Sequence, residues 1–163
     1  VGLLPQNELI ESFVETEPVN RGVKLDSFMR TTHLWIFAAG NNVAIYDLVD
    51  FVTLDGKIAG QSAARMVRDG FLPEKRIPLA RSEQIGTLIP SFCCVEGQPF
   101  TIYFRSKKTM KKARVSIGPG IFETVRLGIK PSEMVDIPFT VKHFGKLKQL
   151  GLTKIEVSIK EVP

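Results

Sequence analysis

Gly40 and Asn41 close an apolar run, Leu34-Trp35-Ile36-Phe37-Ala38-Ala39, and Asp47-Leu48-Val49 opens a long helical pattern a few residues later. These are the residues of the chain best suited to hold a ligand. A glycine lets a ligand approach the backbone, and an asparagine can donate to or accept from sugar hydroxyls. A helix start offers unpaired amides and a partial positive charge. Such an end can hold an anion, or stabilise the negative charge on the pyrimidine edge of a reduced flavin. The same turn is also an ordinary strand-to-helix connection of any α/β protein.

Other residue types with chemical potential are poorly arranged for it. Cys93 and Cys94 are adjacent rather than spaced as C-x-x-C, so reduced, partly buried thiols are expected. His33 and His143 are the only histidines and have no neighbouring cysteines or carboxylates, which argues against a zinc site. Glu133 with Asp136 reads as strand-edge decoration rather than an acid/base pair. Arg105, Lys107, Lys108, Lys111, Lys112 and Arg114 concentrate positive charge in ten positions. That run suits an acidic partner or a phosphate backbone, although a hairpin tip whose solvated lysines discourage edge pairing is the commoner outcome. Aromatic residues are too few there for base stacking, so nucleic acid is not favoured.

The elements that must position these residues follow from periodicity. The run 34–39 reads as a buried strand. From Asp47 to about Asp69, Leu48, Val52, Ala59, Ala63 and Met66 form one apolar stripe, with Asp47 as N-cap and the helix ending near Gly70. Gly56, Ala59, Gly60, Ala63 and Ala64 keep one face small, so a close neighbour is expected there. Residues 70–78, Gly-Phe-Leu-Pro-Glu-Lys-Arg-Ile-Pro, read as an extended linker. Beyond them, segments 86–95, 100–105, 113–117, 121–129, 134–141 and 152–162 read as strands of an immunoglobulin-like antiparallel β-sandwich or small barrel. Lys142 to Leu150 reads as a helical turn or an irregular crossover. The fold class expected is therefore α+β, with units at 1–78 and 79–163.

Charge divides the chain at the same place. Of 163 residues, 1–78 carry 8 Lys+Arg against 10 Asp+Glu, whereas 79–163 carry 14 against 7. With 44% apolar and 24% charged residues, disorder is excluded, and no apolar run is long enough for a membrane helix. No signal peptide is visible and cysteines are few, so a reducing, cytoplasmic setting is expected. The opening Val1-Gly2-Leu3-Leu4-Pro5 reads like the interior of a longer protein.

Asp26-Ser27-Phe28-Met29-Arg30-Thr31-Thr32 followed by Trp35-Ile36-Phe37-Ala38-Ala39-Gly40-Asn41 resembles the second flavin-binding motif, D-x-x-x-R-T-S-x-x-x-I-[FY]-A-x-G-[DN], of the FAD-dependent pyridine nucleotide-disulfide oxidoreductase superfamily. Gly2-Leu3-Leu4-Pro5-Gln6-Asn7-Glu8-Leu9 is similar to the segment leaving that superfamily's NAD-binding domain. Asn20-Arg21-Gly22 and Asp47-Leu48-Val49-Asp50-Phe51-Val52 resemble a bacterial branch associated with glycerol-3-phosphate, opine or proline oxidation. The resemblance implies that residues 1–78 are a remnant of the FAD-binding domain. It implies that Asn41 meets the ribityl chain or adjoining phosphate, that Gly40 gives clearance, and that the Leu48 and Val49 amides face the flavin behind Asp47. In the intact enzyme it implies hydride transfer between nicotinamide and flavin.

The chain departs from the pattern in three ways. His33-Leu34-Trp35 replaces the usual Val-Pro-Gly, and Asn42, Ala44 and Tyr46 stand where relatives include histidines. No G-x-G-x-x-G occurs, so the first flavin-binding unit and the NAD(P) domain are outside this chain, which alone is expected to be inactive and to bind FAD weakly or not at all. The implied partners are those missing domains, and a partner dehydrogenase subunit or a second copy. The alternative function is a binding module whose basic sandwich docks an acidic protein or nucleic acid.

Overall fold

The computed structural model describes residues 3–163; Val1 and Gly2, part of the segment likened to the exit from an NAD-binding domain, lie outside the described residues. Among the described residues the fold is α+β, with two α-helices and eight strands in two mostly antiparallel sheets. The strands are β1 (Arg76–Arg81), β2 (Ile85–Ile89), β3 (Phe92–Cys94), β4 (Phe100–Ser106), β5 (Met110–Ile117), β6 (Phe122–Ile129), β7 (Val135–Phe139) and β8 (Ile155–Glu161). Helix α1 spans Val49–Asp69 and α2 spans Val141–Leu150. One sheet has the order β3-β1-β8-β5-β6 and the other β2-β4-β7.

Alternation along the strands builds the core between the sheets. Ile155, Val157 and Ile159 of β8, Val115 and Ile117 of β5, and Ile102 and Phe104 of β4 are buried in one cluster, as expected of half-buried strands. The expected 86–95 segment is two strands, because it turns at Pro90, which cannot donate to a ladder.

Three expectations fail for identifiable reasons. The stretch around Ile77 is not a free linker. Ile77 and Leu79 are buried while Pro78 faces outward, and β1 pairs with β3 and, in parallel, with β8. That parallel pair departs from an all-antiparallel, immunoglobulin-like order. Residues 142–150 belong to a helix of ten residues. Its start is fixed by the Thr140 amide donating to His143 Nδ1 at 3.0 Å, and Phe144 and Leu147 enter the sandwich core. Finally, 34–39 is not a strand. Only an isolated bridge, Arg30 to Phe37, forms there, and Trp35 is 63% exposed. Side chains hold the preceding backbone in local turns instead: Asp26 Oδ1 accepts from the amides of Phe28 and Arg30, and Thr31 Oγ1 from that of His33.

The N-terminal segment packs on the sandwich. Val14, Val23, Leu25, Met29, Val43 and Ala44 share a cluster with Ile89 of β2, Tyr103 of β4 and Met134. Phe28 and Met66 meet Leu72 and Cys94 of β3. Among the described residues no helix is long and apolar enough to cross a membrane.

Candidate functional site

Gly40 to Asn42 form a single 3-10 turn ahead of α1. Gly40 is buried at φ +68°, in the left-handed region, and a Cβ there would lie 3.1 Å from Val52 Cγ1. A side chain is disfavoured on both counts, by backbone strain and by the close approach of Val52 in α1. The turn and the helix start are therefore neighbours. Asn41 is exposed, and its side chain makes no hydrogen bond to another described residue. Its neighbour Asn42, which the sequence pattern did not single out as a holding residue, pins the turn. Asn42 Nδ2 donates to the Gln6 carbonyl at 2.7 Å, and Asn7 Nδ2 donates back to the Asn42 carbonyl at 3.0 Å.

Asp47 is not the N-cap. The helix begins one residue later than expected, with Leu48 as N-cap and no side chain capping it. The Asp47 carboxylate is drawn away by the sandwich: Oδ1 accepts from Arg105 Nη2 at 2.9 Å and Oδ2 from the Met134 amide at 3.1 Å. Arg105 Nη2 also donates to the Ile45 carbonyl at 3.0 Å. A guanidinium and a strand-edge amide outcompete the helix's own amides for this carboxylate. The first-turn amides of α1 thus lack a protein cap, and Leu48 and Val49 beside them are 52% and 74% exposed. Chemically, this corner can receive an acceptor or a partial negative charge.

The resemblance residues Asp26 and Arg30 do something different. Both are buried, and Asp26 Oδ2 accepts from Arg30 Nε at 3.0 Å and from Arg76 Nε of β1 at 2.9 Å. Arg30 Nη2 also donates to the Pro73 carbonyl. The group is a structural tie between the N-terminal segment and the five-stranded sheet. Cys93 and Cys94 beside it are free and buried, and burial pushes both thiols up to about 12, so neither is a nucleophile near neutral pH. His143 is held below its usual range by burial and then by Lys146 and Lys142, a packing histidine against Phe139 and Phe122.

One buried titratable group escaped sequence reasoning. Asp55 of α1 is 1% exposed; Tyr46 donates to its Oδ2, and its Oδ1 has no protein partner. Burial pushes its carboxyl up to about 6, against the opposing pull of the tyrosine. It lines a cavity of about 20 Å³ with Met29, Ile58, Ile89 and Tyr103, room for about one water. A charged residue within a helical stripe of mixed polarity gives no periodic signal of burial. The small face likewise differs from expectation: a Cβ on Gly56 or Gly60 would meet nothing within 4 Å.

Among the described residues no group of His, Cys, Asp or Glu could hold a metal ion. No family model, no curated protein and no solved structure matches the chain.

Proposed function

We propose that this chain is the C-terminal part of an FAD-dependent, NAD(P)-linked oxidoreductase, supplying a second flavin-contacting segment and an appended sandwich for assembly. The observation that carries the reading is the open start of α1. Its first-turn amides have no side-chain cap, and the turn at Gly40, whose left-handed backbone favours glycine, lies against it. The resemblance of residues 26–41 and 47–52 to the flavin motif supports the same corner. FAD, when bound, supplies the hydride-accepting chemistry. This chain contributes a hydrogen-bonding side chain at Asn41 and the Leu48 and Val49 backbone at the helix start, while Gly40, buried against Val52, lets the turn pack on that helix. Asp47, held by Arg105 and Met134, keeps its negative charge off those amides. The remaining flavin contacts and the nicotinamide site belong to domains outside this chain.

The test is the flavin content per chain of the full polypeptide carrying this sequence, native and as Asn41→Leu. The variant keeps the size and loses the hydrogen bonds, so lower flavin retention at unchanged melting temperature is expected. Equal retention removes Asn41 from the site.

A further inference from the structure

The outer face of the five-stranded sheet carries an arrangement that is independent of the flavin reading. Register places Lys112 of β5 opposite Leu127 of β6, Arg114 opposite Val125, and Arg114 opposite Lys160 of β8. All five side chains are exposed, Leu127 at 77%. Two apolar residues thus run along the edge strand, with a basic row beside them and a further lysine beyond. Lys107, Lys108 and Lys111 extend the positive charge to the β4–β5 turn.

Two features distinguish this from a merely solvated face. Arg114 and Lys160 are like charges directly opposed across a strand pair, an arrangement that opposes pairing until an anion is shared between them. Glu123 lies 3.5 Å from Arg114 and also accepts from Ser116 Oγ, Lys112 Nζ donates to the Pro163 carbonyl at 2.6 Å, and Lys160 has no acidic partner among the described residues. The edge itself is guarded, because Arg126 points to the inner side and donates to the Asp136 carbonyl of β7. A partner therefore meets the face and not the edge.

We propose that this face docks an acidic amphipathic helix of a partner protein, laid along β6 and β5. Residues two apart on a strand repeat at about 6.6 Å, and residues four apart on a helix at about 6 Å, so an i, i+4 apolar stripe follows Val125 and Leu127. Glutamates flanking that stripe reach Lys112, Arg114 and Lys160. Nucleic acid fits less well: the basic row is bordered by the apolar pair Val125 and Leu127, Glu123 stands beside it, and no exposed aromatic side chain offers a stacking surface on the face.

The test uses the full chain and three labelled probes followed by fluorescence anisotropy. One is an 18-residue Glu/Leu peptide with leucines at i, i+4, the second is the same composition scrambled, and the third is a single-stranded DNA of similar charge. The amphipathic peptide should bind roughly tenfold more tightly than the scrambled one, since two apolar side chains are covered only by the former. Val125→Thr with Leu127→Thr should abolish that difference. Arg114→Gln with Lys160→Gln should weaken both peptides and flatten their salt dependence. All four positions are exposed, so melting temperatures should stay near that of the native chain. DNA binding as tight as the amphipathic peptide, equal binding of the two peptides, or peptide affinities untouched by both double variants would each overturn the proposal.

Discussion

Asp55 is a carboxyl group buried on α1 with no cation paired to it among the described residues, and Tyr46 donates its only hydrogen bond. Burial raises its pKa to about 6 in the fold, above its ordinary value of 3.8. The folded state therefore holds this proton more tightly than the unfolded chain does. The resulting stability is fully present below the unfolded value and is lost as pH rises through about 6. The shift corresponds to about 3 kcal/mol. Thermal unfolding of the native chain and of Asp55→Asn between pH 4 and 7 checks this: the native chain should lose stability relative to the variant as pH rises through that window. A pH-independent difference between the two would mean that Asp55 ionises freely in the fold. Asp47 is a second residue whose role the structure reassigns. Asp47→Ala and Arg105→Ala should each cost about 1 kcal/mol, and the double variant less than their sum, because one ion pair is broken in both cases. An N-cap role for Asp47 requires strict additivity instead.

At the scale of elements, α1 is long but lightly seated. Only Asp55, Ser62 and Met66 of its residues are buried, and both Asp55 Oδ1 and Ser62 Oγ lack partners. Its amides should exchange with solvent faster than those of β5 and β8, which lie inside the five-stranded sheet; hydrogen exchange by mass spectrometry reads the difference directly. The helix was legible in the sequence because its stripe runs from Val52 to Met66 and Gly70 closes it in a left-handed conformation, φ +75°. Strands β4 to β8 were legible as apolar runs between turn residues, and β8 also by its alternation. β1 was hidden by Pro78 and by the arginines at its two ends. The 34–39 run misled because apolar content makes a strand only where a neighbouring strand can take its hydrogen bonds. At the site, Gly40 and the helix start could be read locally. The removal of Asp47 by Arg105, 58 residues away, could not, since no local pattern encodes a contact of that separation.

For the whole molecule, the charge break near residue 78 does not coincide with a break in packing. Two hydrophobic clusters draw residues from both sides of it, and Asp26 and Arg30 are tied to Arg76 at the start of β1, the strand that runs through it. Asp26→Asn should cost about 3 to 5 kcal/mol, because two guanidinium groups are left short of their shared carboxylate in the interior. Denaturant unfolding monitored by Trp35 fluorescence and by far-ultraviolet circular dichroism should give coincident transitions in the native chain. The exposed corner of Leu48, Val49 and Asn41, on a helix so lightly seated, is what a shared flavin site would leave open on one of its contributors. The most direct measurement is the visible absorbance of the full polypeptide carrying this sequence, with release and identification of any chromophore. Tightly bound FAD near one per chain is the expected result; a colourless protein that takes up no added FAD overturns the flavin reading.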